Sequence, residues 1–389
     1  MLYYRYRPFS ELSLKELMYD ELFFASAEEC NDPHECWDFL VFSADYEKWH
    51  RLLELAWKNV DEKVKAPFFD IICNYLVEKS PITVCEILSR DFFLPLLEND
   101  IFRSPVGYRL LIGLIDYLNI YLNGKKYFIS FSRNANNYLM WSHYANKHIG
   151  YCLIFKSIDD CLYQAKDGAR TSIEIKSSHS NKVHITENIG PKFKFHDVIY
   201  GESKSSIDPF CYFPEYVNKC CIENDEERID FFNQLERHYL EKGTCWEYEQ
   251  ESRLLLPSPN SCSWFTGCQY EYTKYQRLFH YDSSQLVGVV FGSRLEKNDK
   301  KRIKEIIDEK IDFRLVSEST NKRFFKFVYF QTKLSSKERK LELEPLEINS
   351  LSTHVKKTDA AFDREYEEWK KGWCLEFSGP GSARKTYVV

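Results

Sequence analysis

The chain has 389 residues and a formal net charge of −6, and 44% of its residues are hydrophobic, including 26 Tyr and 29 Phe. This supplies enough apolar side chain for a real core, so the composition excludes wholesale disorder and the length excludes a small disulfide-held scaffold. The negative charge predicts no general attraction to polyanions, although a local basic groove would remain compatible with it.

The first predicted elements are a strand at 2–6, a short helix behind a capping box of Ser13 and Glu16, and an extended segment at 22–25. Apolar residues then recur at three- and four-residue spacing, which predicts a helical insertion over 45–122. Further predicted strands are 127–131, 150–155, 246–256, 269–272, 286–291 and 324–330, and further predicted helices are 139–145, 208–241 and 297–310.

This mixture of elements predicts an α+β fold. We expect a core domain made of 1–44 and 123–332, the helical insertion at 45–122, and an accessory C-terminal tail at 333–389, where the sequence becomes rich in Lys and Glu.

The chain is expected to be cytoplasmic and not to associate with membranes. Its longest apolar runs fall far short of the ~20 residues that a membrane-spanning helix needs. The N-terminal segment MLYYRYRPFS is not followed by the apolar region and small-residue cleavage site of a secretion signal. The 13 cysteines form no C-x-x-C pair, so we expect reduced thiols.

Two glutamates and an arginine alternate in the predicted strand 246–256. Residues two apart in a strand share a face, so Glu249, Glu251 and Arg253 are expected to project together. Two adjacent carboxylates raise each other's pKa and can serve as a base and as the stabiliser of a cation at a glycosidic centre. A solvated strand face with Glu and Arg pairs would show the same spacing, so both interpretations stay open.

Two further groups of residues have side chains that could contact a ligand. Ser130 and Ser132 share a face at the end of a predicted strand, where their hydroxyls could hold a ribose or orient a carboxylate, or could simply precede a turn. Arg5 lies among tyrosines in the first strand. It could bind a diphosphate bidentately while the rings stack on a heterocycle, or it could stack on Tyr3 or Tyr6 at the surface.

No closed metal site is predicted. Asp32, His34, Glu35 and Cys36 are possible ligands, but no second cluster has a matching spacing. Glu174-Ile175-Lys176 has the E-x-K form of metal-dependent nucleases, but no acidic residue precedes it in a matching strand.

Five segments together resemble the bacterial family called domain of unknown function 2971. In chain order they are LYYRY, NDPHE, FSRNANNYLMWSHYANKHIGYCLIF, WEYEQESRLLL and VVFGSRL. The resemblance covers roughly residues 1–332, and the helical insertion and the tail lie outside it. The family name implies no activity.

The chain also resembles, more distantly, ADP-ribosyltransferases of the Arg-Ser-Glu class. These carry an arginine on an early strand, a serine strand of S-T-S type and an E-x-E motif, in that order. Here the matching residues are Arg5, Ser130-Phe131-Ser132 and Glu249-Gln250-Glu251, with Phe131 in place of the usual threonine. The resemblance implies a split β-sandwich that binds NAD, its substrate, between the two halves.

The resemblance also implies residue roles. Arg5 would hold the pyrophosphate, and Tyr4 or Tyr6 would stack on the cofactor. Ser130 or Ser132 would orient Glu251, which would bind the ribose 2′-hydroxyl and stabilise the oxocarbenium-like transition state. Glu249 would position or deprotonate the acceptor. Trp141, His143 and Tyr144 would be further cofactor contacts, His143 or Tyr144 in the manner of the histidine/tyrosine variant of such sites.

The sequence therefore predicts an NAD-dependent ADP-ribosyltransferase or NAD glycohydrolase, as a toxin or antiphage effector. Its acceptor, whether protein, nucleic acid or small molecule, is not identified. Two alternatives stay open. One is a non-catalytic module that binds a nucleotide or a partner, and the other is a metal-dependent nuclease that uses Glu174, Lys176 and the region of Asp32.

Overall fold

A computed structural model gives the fold. It describes residues 1–32, 39–121, 126–165, 169–170, 172–176, 184–202, 206–213, 226–256, 271–317, 326–335, 340–350 and 354–371.

The strands are β1 (Leu2–Arg7), β2 (Glu21–Phe23), β3 (Ala25–Ser26), β4 (Val41–Phe42), β5 (Ile82–Thr83), β6 (Tyr127–Ser132), β7 (Tyr151–Lys156), β8 (Cys161–Tyr163), β9 (Ser172–Lys176), β10 (His184–Asn188), β11 (Lys192–Asp197), β12 (Ile199–Gly201), β13 (Glu241–Gly243), β14 (Glu251–Leu256), β15 (Leu278–His280), β16 (Leu286–Phe291), β17 (Lys326–Leu334), β18 (Leu341–Ser350) and β19 (His354–Lys356).

The α-helices are α1 (Glu11–Met18), α2 (Tyr46–Ala56), α3 (Glu62–Lys79), α4 (Val84–Ile87), α5 (Asp100–Arg103), α6 (Pro105–Leu118), α7 (Tyr138–His143), α8 (Glu226–His238), α9 (Lys297–Ser317) and α10 (Phe362–Lys370). The predicted capping box of the first helix is wrong, because Ser10 caps α1 and Ser13 is the third residue of the helix.

One large sheet organises the molecule. Its strand order is β19-β18-β17-β16-β7-β1-β6-β14-β11-β8, with β3 also paired to β6, and it has 11 strands. Among the described pairs of this sheet, β16 and β17 run parallel and the others are antiparallel. The predicted α+β class is confirmed.

The described strands of the large sheet form one continuous hydrogen-bonded series. Next to the centre, however, β1 and β6 are paired only at Tyr4 and Ser132, whereas β1 pairs with β7 over its whole length. Among the described strands near the middle of the sheet, β1 and β6 therefore share the shortest run of paired residues.

The two faces of the sheet bury different sets of side chains, because strand residues alternate between faces. Tyr3, Phe131 and Leu254 belong to one core, which also contains side chains of α1 and α9. Tyr6 and Trp141 belong to the core on the opposite face, which α7 and α10 cover. Ser130, Glu251 and Arg253 alternate with residues of the first core and so lie on the second face.

The helices between residues 46 and 118 form a hydrophobic cluster of their own, which we call the helical unit. Trp49, Leu53 and Leu114 are fully or almost fully buried in it. Phe231 and Leu235 of α8 pack into the same cluster. The predicted core domain thus contributes a helix to the helical unit, which the expected boundary at residue 122 did not anticipate.

The predicted boundary of the C-terminal tail also needs correction. Residue 333 falls inside β17, and β18 and β19 extend the large sheet. The indole nitrogen of Trp369, on α10, donates a hydrogen bond of 2.9 Å to the carbonyl of Val287. The described residues between 326 and 371 are therefore an integral part of the sheet and its cover, while residues 372–389 lie outside the described ranges.

In the part of the chain that the structure describes, no helix has both the length and the apolar character to cross a membrane.

Candidate functional site

The pairing of β6 with β14 brings the predicted serines and glutamates together. The backbone register aligns Glu251 with Ser132 and Arg253 with Ser130. Because Ile129, Phe131 and Leu254 turn to the first core, Ser130, Glu251 and Arg253 project from the other face. The hydroxyl of Ser130 donates a hydrogen bond of 2.5 Å to Oε1 of Glu251.

Glu249 reaches the same place by a different backbone path from the one predicted. Residues Thr244–Glu249 form a 3₁₀ helix, so β14 begins only at Glu251 and the predicted strand over 246–256 is wrong in its first half. Between the two glutamates, Gln250 adopts the left-handed conformation with a φ of 45°. The backbone N–H of Arg133 donates 2.9 Å to the carbonyl of Gln250 and thereby holds this turn.

Four charged side chains form what we call the carboxylate cluster: Glu249, Glu251, Lys242 and Arg253. The ammonium of Lys242 lies 2.7 Å from Oε2 of Glu249 and 3.1 Å from Oε2 of Glu251. Arg253 contacts both oxygens of Glu251, with Nε 2.8 Å from Oε1 and Nη2 3.1 Å from Oε2. The two glutamates and Arg253 are at most 4% exposed. Two buried anions are thus matched by two cations.

The cations decide the ionisation of the central carboxylate. Burial by itself would raise the pKa of Glu251, but Arg253 and Lys242 outweigh burial and lower the pKa to about 2. Burial likewise disfavours the charge on Lys242, yet Glu251 and Glu249 raise the pKa of its amine above the ordinary value. Glu251 is therefore a carboxylate, and Lys242 an ammonium, at neutral pH.

The two serines have different functions in the structure. The hydroxyl of Ser132, which is 1% exposed, donates 2.7 Å to the backbone carbonyl of Glu249 and accepts 3.1 Å from the backbone N–H of Asn134. It therefore fixes the backbone around Glu249 and does not contact a carboxylate. Ser130 is exposed and contacts the carboxylate of Glu251 directly.

Tyr144 links three sequence motifs. Its hydroxyl donates 2.5 Å to Oε1 of Glu249 and accepts 2.9 Å from the side-chain amide of Asn31. Burial and the neighbouring carboxylate of Glu249 raise the pKa of Tyr144, so the phenol stays protonated. Asn31, Tyr144 and Glu249, which come from three of the segments that resemble the family, therefore meet at one place.

Arg5 approaches this place from the other face of the sheet. Its Nη1 donates 3.2 Å to the backbone carbonyl of Ser130, and its guanidinium carbon lies 5.6 Å from the centre of the Phe131 ring. Burial and the neighbouring Arg7 lower the pKa of Arg5 to about 10. Ser130 thus connects the other two residues: its backbone carbonyl contacts Arg5, and its hydroxyl contacts Glu251 on the opposite face.

The predicted tyrosine contacts at β1 are partly enclosed. Tyr4 is half-buried, and burial raises the pKa of its hydroxyl to about 12. Tyr6 is 7% exposed, and its hydroxyl donates 2.7 Å to the carbonyl of Asn134. Tyr6 therefore packs inside the protein, which does not fit the expected stacking on a cofactor.

The predicted contacts at α7 separate into buried and accessible residues. Trp141 is fully buried, and its indole N–H donates 2.8 Å to the carbonyl of Ala135, so it is a core residue and not the expected ligand contact. His143 is exposed, with its ring centroid 6.3 Å from that of Tyr248. Of these two residues, only His143 is accessible to a ligand.

Sequence reasoning missed two residues of the site, Lys242 and Tyr200. They are paired in the short parallel sheet of β12 and β13. The hydroxyl of Tyr200 accepts 2.7 Å from the backbone N–H of Glu251. No spacing motif marks either residue. The general rule that buried carboxylates need cations is the one signal that predicts a nearby lysine.

The residues considered for a metal or nuclease site do not form such a site where they are described. In the described ranges, no group of three or more His, Cys, Asp or Glu side chains could hold a metal ion. His34, Glu35 and Cys36 lie outside those ranges, as do the side chains of Glu174 and Lys176, whose backbone is in β9.

Comparisons with known proteins agree with part of this description. A family model described as a protein of unknown function (DUF2971) matches residues 140–254. The match covers Tyr144, Lys242 and both glutamates, and it supports the resemblance of the chain to that family. No curated protein and no solved structure matches the chain.

Proposed function

We propose that the carboxylate cluster cleaves the bond between nicotinamide and ribose in NAD, as an ADP-ribosyltransferase or an NAD glycohydrolase. The observation that carries this proposal is the hydrogen bond from Ser130 to Glu251, a fixed and ionised carboxylate beside an exposed hydroxyl. A held carboxylate of this kind suits a reaction in which positive charge develops on a sugar ring.

The proposed reaction proceeds through an oxocarbenium-like transition state. The C1′–N bond breaks, and nicotinamide leaves with the electron pair as a neutral molecule. Glu251 stabilises the positive charge that develops on the ribose, and its Oε1 is kept in place by Ser130 and Arg253. An acceptor or a water molecule then forms a bond to C1′ and gives up a proton, for which Glu249 is the nearby base.

Arg5 lies on the opposite face of the sheet from Glu251, so the predicted contact of Arg5 with the pyrophosphate is not part of this proposal. Arg5 is half-buried, and among the described residues it forms no ion pair with a carboxylate. A guanidinium in this position can still bind an anion bidentately, which is the usual way that arginine holds a phosphate.

The experiment is incubation of the purified protein with NAD, with nicotinamide release followed by chromatography, with and without cell lysate as a source of acceptor. We expect Glu251→Gln to lower nicotinamide release by about 100-fold or more. Glu249→Gln should keep part of the NAD hydrolysis and lose transfer. Glu21→Gln is the matched control, because Glu21 is a buried acid (8% exposed) that pairs with Lys15 away from the cluster. Equal turnover in all four proteins would contradict the proposal.

A second candidate, a non-catalytic binding module, is favoured by the balance of charge in the cluster. Glu249 and Glu251 are already matched by Lys242 and Arg253 without a ligand. Such a module would bind NAD or another nucleotide without consuming it. Calorimetry that shows binding of NAD, together with no nicotinamide release in any of the proteins above, would favour this candidate.

A further inference from the structure

The helix α6 is apolar on every side, although only one side faces the core of the helical unit. Of its 14 residues, Arg109 and Asp116 carry a charge. Leu110, Leu111 and Leu114 are buried in the helical unit. A helix that packs against a core on one side normally has a polar opposite side, whereas a helix that is apolar all round is typically covered on all sides. The composition of α6 therefore indicates a second partner for its outer side.

Large apolar side chains are exposed on that outer side. Val106, Tyr108 and Ile112 are 43%, 54% and 40% exposed. No other helix exposes three large apolar side chains in the part of the chain that the structure describes. The exposed Val64 of α3 lies one helical turn before Phe68, which packs against the first turn of α6. The apolar surface thus extends beyond α6 at its N-terminal end.

The two charged residues of α6 lie on one flank of this surface. Arg109 precedes Ile112 by three residues and Asp116 follows it by four, so the three side chains share a face of the helix. Arg109 and Asp116 are exposed, and in the described ranges neither forms an ion pair. They are about 10 Å apart along the helix axis, which is too far for a direct pair with each other. Each charge is therefore available to a second molecule.

A second copy of α6 matches this arrangement when it lies antiparallel, with a twofold axis at Ile112. The rotation reverses positions along the helix and brings each flank against the same flank of the other copy. Arg109 of each copy then faces Asp116 of the other, and on the opposite flank Tyr108 faces the half-buried Ile115. A parallel copy would bring the two Arg109 side chains together. The charges therefore favour the antiparallel pair.

We propose that α6 is a homodimerisation helix, through which two copies of the chain associate antiparallel about a twofold axis at Ile112. The inference goes beyond the proposed function and does not depend on it, because the carboxylate cluster shares no residue with this surface. A 14-residue helix is about 21 Å long, so the buried area is at the low end for specific interfaces. We therefore expect a dissociation constant of about 1–100 µM.

Sedimentation velocity of the full chain tests the association at concentrations from about 1 to 200 µM. The unsubstituted protein should change from monomer to dimer over this range. Ile112→Glu should weaken the association by about tenfold or more, because it places two carboxylates at the twofold axis. Leu12→Glu is the matched control, since Leu12 is 63% exposed on α1. A monomer at every concentration, or equal weakening by both substitutions, would overturn the proposal.

Exchange of the two charges tests the antiparallel arrangement with substitutions at exposed positions. Arg109→Asp and Asp116→Arg should each weaken the dimer by about tenfold, because each places like charges opposite one another. The double variant should recover the association, because it restores both pairs with the signs reversed. An equal mixture of the two single variants should also associate, since the acidic flank of one faces the basic flank of the other. Single variants that dimerise normally, or a double variant as weak as the single ones, would contradict the proposed interface.

Discussion

Ser132 and Glu249 are joined by a hydrogen bond of 2.7 Å, in which the serine hydroxyl donates to the backbone carbonyl of the glutamate. The contact bridges 117 positions of the sequence and fixes the turn that separates Glu249 from Glu251. Its neighbour two residues earlier, Ser130, holds a carboxylate instead of a backbone atom. The end of β6 therefore fixes both the backbone at Glu249 and the carboxylate of Glu251.

This division predicts different effects for the two serines. Ser132→Ala should lower the free energy of unfolding by about 1–3 kcal/mol, because it leaves the backbone carbonyl of Glu249 without its donor. Ser130→Ala should change it by less than about 1 kcal/mol, because Ser130 is exposed. Under the proposed function, Ser130→Ala should slow nicotinamide release. Urea unfolding and the NAD assay measure the two quantities, and equal destabilisation by both substitutions would contradict the assignment.

The left-handed conformation of Gln250 predicts a stabilising substitution. A non-glycine residue in this conformation is strained by roughly 1 kcal/mol relative to glycine. Gln250→Gly should therefore raise the melting temperature or leave it unchanged, whereas the β-branched Gln250→Val should lower it. Differential scanning calorimetry compares the variants. A melting temperature that falls with glycine and rises with valine would show that the turn has another conformation.

Arg253 is expected to be the most sensitive residue of the cluster. Arg253→Met should destabilise the fold by about 3–5 kcal/mol, because it leaves a buried carboxylate with one of its two cations. In a Glu251→Gln background the same substitution should be much less harmful, since the carboxylate charge is already gone. A double-mutant cycle in urea measures the coupling. Additive effects of the two substitutions would indicate that they do not interact in solution.

Acid should destabilise the protein, and two of the carboxylates responsible are Glu251 and Glu29. Glu251 and Glu29 both have a pKa lowered to about 2, for Glu29 by hydrogen bonds from Arg277 that outweigh burial. A carboxyl group whose pKa is lower in the folded protein than in the unfolded chain stabilises the fold. Its contribution is complete above the unfolded pKa of 4.5 and is lost as the pH falls towards 2. Unfolding free energy should therefore decline between about pH 4.5 and pH 2. Glu251→Gln and Glu29→Gln should each flatten this decline, and an unchanged slope would contradict the shift.

The C-terminal helix is expected to be needed for stability. Trp369 is 6% exposed, with its ring centroid 5.5 Å from that of Phe330 on β17. Trp369→Ala should destabilise the protein by about 3–5 kcal/mol, and Trp369→Phe by less, because phenylalanine keeps most of the ring packing. The neighbouring surface residue Glu367 provides the control Glu367→Ala. If Trp369→Ala unfolds at the same urea concentration as that control, α10 does not dock as described.

Local patterns in the sequence predicted the α+β class and several strands. Alternation places Ser130 on one face of β6, and it places Glu251 and Arg253 together on one face of β14, as expected. Alternation cannot say which strands become neighbours. The register that sets Arg253 opposite Ser130 depends on pairing between segments more than 100 residues apart.

Other parts of the site depend on interactions that leave no periodic pattern. The 3₁₀ helix before Gln250 is held by distant contacts, among them those from Arg133 and Ser132. Lys242 reaches the glutamates because β13 pairs with β12, and neither three-residue strand is long enough to show alternation. The sequence predicts ligand contacts for Trp141 and Tyr6 because aromatic residues serve both in core packing and in ligand binding. Only the burial of the side chain in the fold distinguishes these two roles.

The carbonyl of Tyr239 accepts the hydrogen bond from Nη1 of Arg253, while the ring of Tyr239 is buried in the helical unit. Only three positions later, Lys242 supplies the other positive charge of the cluster. The segment from Tyr239 to Lys242 thus both holds Arg253 and supplies Lys242, and it contributes to the electric field at Glu251 from outside the large sheet. A change in the packing of Tyr239 would therefore be felt at Glu251 as a change in pKa, through Arg253 and Lys242.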